Sequence, residues 1–456
     1  MIRARAILLA GFTLFGVTVA HAQSEPGKTP SRETRASAVA TIAAEIAKAI
    51  GNVEAGAIVI ASPVTSDSPA PKSEELAVRI ATQVAGRLGS ARALPQTASL
   101  AVARGQAGRA ASLLYVQLEI AKGELRATAD LYTVVSNGWE RLRNPAPGPR
   151  AHAFVSAPLD AEVRSFMTPI LLEQASVHKA KHEEGEVLAV GCGDVDGDGG
   201  LELVLVSRAR VAMGRVRGGK FVPQKTSLWT ALASRVPVPL REPLASVIVS
   251  PRGRRGEIFV GTTDRGGVGI DASLVTRQKL SGLPVPGTDG DACTLPSADA
   301  SALDGQSVSC VIPSKGDPAP MFALPSARVD AVAFADLVAK DGRVSPFIAA
   351  REPSSGKLRV RRLDDTSAKP NDVIVEGAGA QVAVGDLDLD GIPEIVTTSD
   401  TGEDVLTIAS IAKDKVTPRL RLPAKEGIRA IGLCPAEERG VPAVVAVVGA
   451  EVWLVR

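Results

Sequence analysis

The sequence predicts a mainly β protein, a six-bladed β-propeller preceded by a small α/β domain. Three observations lead there. Helical periodicity runs to about residue 167 and all but vanishes beyond it. From residue 168 a phrase of apolar strand, polar loop and apolar strand recurs, with loops starting near Asp194, Pro251, Ser297, Asp336, Asp386 and Pro435, 39 to 57 residues apart. That is the length of a propeller blade repeat. Two of the loops, in GDVDGDGGLELVLVS from Gly193 and GDLDLDGIPEIVTTSD from Gly385, carry the same spacing of carboxylates.

The chain opens with Arg3 and Arg5 ahead of an apolar run, Ala6 to about Ala20, and a small-x-small site at Ala20-His21-Ala22. This is the pattern of a secretory signal peptide over 1–22. The apolar run is shorter than the roughly 20 residues that span a bilayer, so no membrane span is expected in the mature chain. Export places the protein in the periplasm or outside the cell. Without residues 1–22 the 52 basic residues fall to 50, against 50 acidic ones. A neutral chain is a poor partner for nucleic acid.

Residues 23–33, QSEPGKTPSRE, form a polar leader expected to be disordered. The unit 34–167 follows. TRASAVATIAAEIAKAI has helical spacing up to Gly51, AIVIAS reads as a buried strand, and Ser73 with Glu74 and Glu75 starts a helix that Gly89 stops. QTASLAVAR is a further helical stretch. SLLYVQLEI and ELRATADLYTVV alternate as strands around a tight turn at Lys122-Gly123. A strand near His152 to Val155 and a helix from Asp160 to about Met167 close the unit. This order, with Trp139 at a strand end, resembles the N-terminal domain of TolB-type periplasmic proteins.

Within 168–456 the last repeat has strands near 429–433, 442–448 and 451–456, one short of a four-stranded blade. The segment ILLEQASVHKA, 170–180, stands before the first repeat where other repeats have an outer strand. It is expected to complete the last blade and close the ring, which removes free sheet edges.

In the two acidic loops, carboxylates occupy positions 1, 3, 5 and 9: Asp194, Asp196, Asp198 and Glu202, then Asp386, Asp388, Asp390 and Glu394. Glycine, Gly199 or Gly391, stands at position 6, and the carbonyl of Gly200 or Ile392 at position 7 adds an oxygen. Hard oxygen ligands around a tight turn suit Ca²⁺, and two sites are expected. Close carboxylates repel one another without a cation, which disfavours reading the loops as plain acidic turns. An EF-hand is excluded because position 12 is Leu205 or Thr397 instead of glutamate, and strands replace the helices. The pattern D-x-D-x-D-G-x-x-E between strands resembles the FG-GAP and VCBS repeats of integrin α-type propellers. That resemblance implies calcium between the first two strands of a blade, held by the eight carboxylates named. The Phe-Gly and Gly-Ala-Pro pairs of that family are absent, and the fourth repeat keeps only Asp336, Asp341 and Gly342.

Four cysteines in an exported chain allow three disulfide connectivities. Cys192 and Cys434 hold equivalent inner-strand positions in the first and last repeats, and Cys293 and Cys310 flank one loop, which favours those two pairs. His178 and His182 lie four apart but lack an HExxH motif and fall on a strand and loop, so zinc is not expected. No GxSxG elbow, Walker loop or nucleotide fingerprint is present. The expected function is therefore non-catalytic: a calcium-binding scaffold that binds a protein or another envelope component. The rival is a hydrolase of envelope polymers or lipids with its site in the propeller channel. A calcium-dependent lectin is disfavoured by an aromatic content of 3%.

Overall fold

The computed structural model describes residues 36–456 apart from 136–137, 144–146, 235–242, 250–255, 288–291, 300, 312–323, 339–343, 365–370, 400 and 437–440. The signal peptide, the leader 23–33, Asp341 and Gly342 lie outside the described residues. Among the described residues, no helix is long and apolar enough to cross a membrane.

The first helix, Ala38–Ile50, buries Val39, Ile42, Ala43 and Ile46, the stripe that its periodicity dictates. Ser37 caps it by accepting from the Ala40 N–H at 3.2 Å. The second helix, Ser73–Leu88, carries Glu74 and Glu75 in its first turn and stops at Gly89, φ 71°. Both pack on one face of a sheet ordered Ala91–Ala93, Ala57–Ala61, Ser112–Ala121, Glu124–Thr133, Ala151–Pro158. The first three strands are parallel and the rest antiparallel. Alternation divides Ser112–Ala121 between two cores. Leu114, Val116, Leu118 and Ile120 face the two long helices, while Leu113 and Tyr115 face the helix Leu100–Gln106. Lys122 and Gly123, at φ 54° and 74°, form the tight turn.

The closing helix spans only Ala161–Arg164. Its cap is shared. Asp160 Oδ1 accepts from the Val163 N–H at 3.0 Å, and Oδ2 accepts from the Ala38 N–H at 2.6 Å, so one carboxylate holds the N-termini of two helices. Asp160→Ala is expected to cost about 1–2 kcal/mol, the upper end for an N-cap, because two N–H groups lose their acceptor together. A urea midpoint shift with unchanged slope would report it; a shift within error would show that water replaces the carboxylate.

Beyond residue 170 the chain is mainly β with a propeller-like arrangement. Four-stranded antiparallel sheets are built from Ala245–Val249 to Thr276–Leu280, from Ala331–Val338 to Val373–Val375, and from Ala378–Gly385 to Lys415–Ala424. A three-stranded sheet holds Leu283–Pro286, Ala292–Leu295 and Ser309–Val311. The eight-stranded sheet joins Val187–Gly193, Glu202–Ser207, Arg210–Arg217 and Lys220–Leu228 to Ile428–Cys434, Ala443–Val448, Glu451–Val455 and Val177–Lys181. The strand that precedes the first repeat, Val177–Lys181, thus pairs antiparallel with Glu451–Val455, while a single parallel pair, Lys181 with Lys220, links the two halves.

Leading strands touch in a closed circuit. Val187–Gly193 contacts Ala245–Val249, and contact passes on through Leu283–Pro286, Ala331–Val338 and Ala378–Gly385 to Ile428–Cys434, which contacts Val187–Gly193 again. Close approach along this circuit demands glycine: a Cβ on Gly432 would stand 2.5 Å from the Val190 carbonyl oxygen. The third repeat differs from the sequence alignment by one strand. Its leading strand is Leu283–Pro286, so the aligned pair around Cys293 and Cys310 forms the second and third strands of that sheet. Both expected disulfides are present, Cys192–Cys434 between the two halves of the eight-stranded sheet and Cys293–Cys310 across neighbouring strands.

Candidate metal centre

Each acidic loop connects the first two strands of its sheet, and its glutamate opens the second strand. Glu202 pairs with Gly193 and Glu394 with Gly385. This registry sends the glutamate side chain inward: both are 0% exposed. Each folds back over its own loop. Glu202 Oε2 accepts from the Val195 N–H at 2.8 Å, and Glu394 Oε2 accepts from the Leu387 N–H at 2.9 Å. Val195 and Leu387 anchor the loops in the apolar cores beneath.

Position 1 organises the turn. Asp194 accepts from the N–H groups of Gly197 at 2.8 Å and Gly199 at 3.2 Å. Asp386 accepts from Asp390 and Gly391, both at 3.0 Å. Gly199 and Gly391 adopt φ 87° and 84°, the left-handed backbone that makes position 6 glycine. Position 4 is also left-handed, Gly197 at 79° and Leu389 at 58°. A leucine there costs about 1–2 kcal/mol, and nothing in the sequence marks that position in the second loop.

The structure brings three of each loop's carboxylates together. Ligand oxygens of Asp194, Asp196 and Glu202 lie within 4.8 Å of one another, as do those of Asp386, Asp388 and Glu394. These two acidic triads could hold metal ions. Asp198 and Asp390 stand beside them and accept from the N–H groups of Gly200 at 2.8 Å and Ile392 at 2.7 Å. Gly200 and Ile392 therefore enter the described contacts through their amides.

Electrostatics separate the two copies. In the second loop Asp388 is 8% exposed, and burial together with the Asp390 charge raises its pKa to about 6. Burial raises Asp386 to about 7, with Asp390 and Asp388 adding repulsion. Burial and the Asp388 charge lift Glu394 to about 8. In the first loop Asp196 and Asp198 are exposed, and hydrogen bonding to Arg215 holds Asp198 at about 2.

Four further residues shape the loops. Arg215, opposite Glu202 on the adjacent strand Arg210–Arg217, contacts Glu202, Asp198 and Asp196. The equivalent place opposite Glu394 is Ser410, whose hydroxyl donates to Glu394 Oε1 at 2.8 Å. Arg419 reaches toward the second loop from the outer strand, but its Nη1 stops 3.7 Å from Asp388 Oδ2 while its Nε and Nη2 pair with Glu173. Arg215 had a legible signal, since the two-residue turn at 208–209 fixes the register that sets it opposite Glu202. Glu173 had none, being 246 residues from Arg419.

Other candidates do not assemble. His178 is exposed and contacts Ser176 Oγ at 3.2 Å, whereas His182 is buried and accepts from the Glu184 N–H at 3.3 Å. The leading strands enclose a cavity of about 430 Å³ lined by residues such as Val190, Val247, Val285, Val382 and Ile431. Of the titratable residues at it, Glu186 pairs with Arg208 and Asp330 with Arg351, and Arg429 also lines it.

No protein-family model matches the chain, and no curated protein matches it. Solved structures similar to it include TolB from Acinetobacter baumannii, at 12% identity and TM-score 0.29 over 89% of this chain and 94% of that one. Others are AofleA from Arthrobotrys oligospora, at 10% and 0.39 over 62% and 88%, and the extracellular domains 1–2 of Drosophila Semaphorin 1a, at 13% and 0.36 over 63% and 88%. Likeness at this level does not bear on function.

Proposed function

We propose that this is an exported, non-catalytic, six-bladed β-propeller of the FG-GAP/VCBS type, carrying an N-terminal α/β domain, that binds calcium in its acidic loops and serves as an interaction scaffold for a protein or another envelope component. One observation carries the reading. Two loops of identical carboxylate spacing occupy the same place in separate sheets, and each gathers three carboxylates within 4.8 Å. The donors are oxygens alone, which favours a hard cation over zinc, and Ca²⁺ tolerates a crowded, partly buried carboxylate set better than Mg²⁺ with its strict octahedron. The second loop, Asp386 to Glu394, is the better formed, because its carboxylates are the more deeply buried and the cation described nearest them, Arg419, stays 3.7 Å from Asp388 without a hydrogen bond to it. The ion's role is to stiffen the blade and hold its top loop.

Six blades are supported by the closed circuit of leading strands, with Val177–Lys181 as the outer strand of the last blade. Export is supported by the leader pattern and by two disulfides, which persist in oxidising compartments.

The test is thermal unfolding of the mature protein in EDTA and across a calcium titration, beside the variant Asp196→Asn plus Asp388→Asn, which removes one carboxylate from each loop. Calcium should raise the midpoint of the parent by several degrees and leave the variant's unmoved. A parent midpoint indifferent to millimolar calcium at pH 8 would sink the calcium reading.

A further inference from the structure

The two acidic loops share a sequence pattern but not their surroundings, and the difference lies in one side chain. Arg215 stands 13 residues after Glu202 and directly opposite it across the hairpin. Its Nε donates to Glu202 Oε1, its Nη1 to Asp198 Oδ2 at 2.8 Å, and its Nη2 to Asp198 Oδ1 at 2.6 Å and Asp196 Oδ1 at 3.2 Å. One guanidinium thus engages the carboxylates at positions 3, 5 and 9, three of the four that a cation in this loop would need. The Arg215 side chain is itself 19% exposed and Glu202 is sealed beneath it. A divalent ion entering here would have to displace these charge-assisted bonds and then sit beside a fixed positive charge.

The second loop has the opposite arrangement. Opposite Glu394 stands Ser410, a neutral donor. Arg419, the nearest cation described there, is held off by Glu173 and donates to the Ser410 hydroxyl at 3.2 Å, with 3.7 Å between it and Asp388. A metal in that loop meets one cation only at ion-pair distance from Asp388, with no guanidinium hydrogen-bonded to the carboxylates it would bind.

We propose that Arg215 is the built-in cation of the first loop, so that the protein takes one calcium ion per chain, at Asp386, Asp388 and Glu394, and none at Asp194 to Glu202. The proposal rests on the calcium reading above and revises the expectation of two sites. It makes the first blade's top loop rigid at any calcium concentration and leaves only the second loop responsive to it.

Equilibrium dialysis of the full mature protein against calcium, with bound metal counted by atomic emission, tests this. The parent should bind one ion, Asp386→Asn plus Asp388→Asn none, Ser410→Arg none, and Arg215→Gln two. Two ions in the parent, or one that survives the Asp386 and Asp388 substitutions, would overturn the proposal while leaving acidic-loop calcium binding intact. No ion in the parent would sink the calcium reading. In that case one ion in Arg215→Gln would still establish Arg215 as the occluding cation, and none would overturn both. Should Arg215→Gln fail to fold, the parent count and the Asp386 and Asp388 variant decide the matter without it.

Discussion

Calcium should stabilise the protein strongly near pH 8 and lose its effect as the pH falls toward 5. Protons and calcium compete for the same oxygens. Burial and mutual repulsion hold Asp388 at about 6, Asp386 at about 7 and Glu394 at about 8, so in the metal-free protein these groups keep protons that an exposed carboxylate would have lost. The sign follows from linkage. Raised folded-state values mean that the folded protein binds more protons than the unfolded chain between about pH 4 and 8. Their contribution is therefore fully present below about pH 4 and disappears as the pH climbs through 6 to 8. In EDTA the unfolding midpoint should fall as the pH rises through that window. With calcium in millimolar excess the ion takes the place of the protons, and the fall should be much reduced. The two curves separate with rising pH, and apparent calcium affinity should increase by roughly tenfold per pH unit for each proton displaced. Glu394→Gln should flatten the EDTA curve, since an amide cannot titrate. Parallel curves from pH 5.5 to 8.5 would show that calcium does not bind at these carboxylates.

How much of this was legible in the sequence depends on the distance over which each feature is determined. The loops were readable because their ligand spacing, the glycine at position 6 and the strand that begins at Glu202 or Glu394 all lie within nine residues. Cys192 and Cys434 were readable because a repeat turns a distant contact into an equivalence of position. The third repeat was misaligned by one strand because its leading strand is Leu283-Pro284-Val285-Pro286, whose prolines argue against a strand with neighbours on both sides. It is tolerated because Pro284 and Pro286 lie in the leading strand, which pairs within its sheet with Ala292–Leu295 alone. The environment of each loop was harder. Burial of Asp388 and the hold of Glu173 on Arg419 arise from packing between segments far apart in the chain, and composition does not record them.

Removing the Cys192–Cys434 disulfide should weaken the fold more than removing Cys293–Cys310. The first closes a span of 242 residues and the second one of 17. A cross-link acts chiefly by restricting the unfolded chain, and in that treatment the longer span is worth about 2 kcal/mol more. Cys192→Ser plus Cys434→Ser should thus lose roughly 5–5.5 kcal/mol, and Cys293→Ser plus Cys310→Ser about 3. The native state argues the same way. Cys293 and Cys310 are already cross-strand neighbours in a hydrogen-bonded ladder, so the second bridge duplicates a constraint that the sheet supplies. Cys192 and Cys434 sit on leading strands of different halves of the eight-stranded sheet, where the ladder between those halves consists of the single pair Lys181 with Lys220. Apart from that pair, the buried side chains between them, Val190, Leu203, Ala430 and Val445 among others, hold the seam by packing alone. Guanidinium unfolding of both serine double variants, each compared with the parent, measures the difference. Equal losses would show that the seam is held by packing and strand pairing, with the covalent bond adding little. A larger loss for the first pair would identify that disulfide as the covalent lock of the seam.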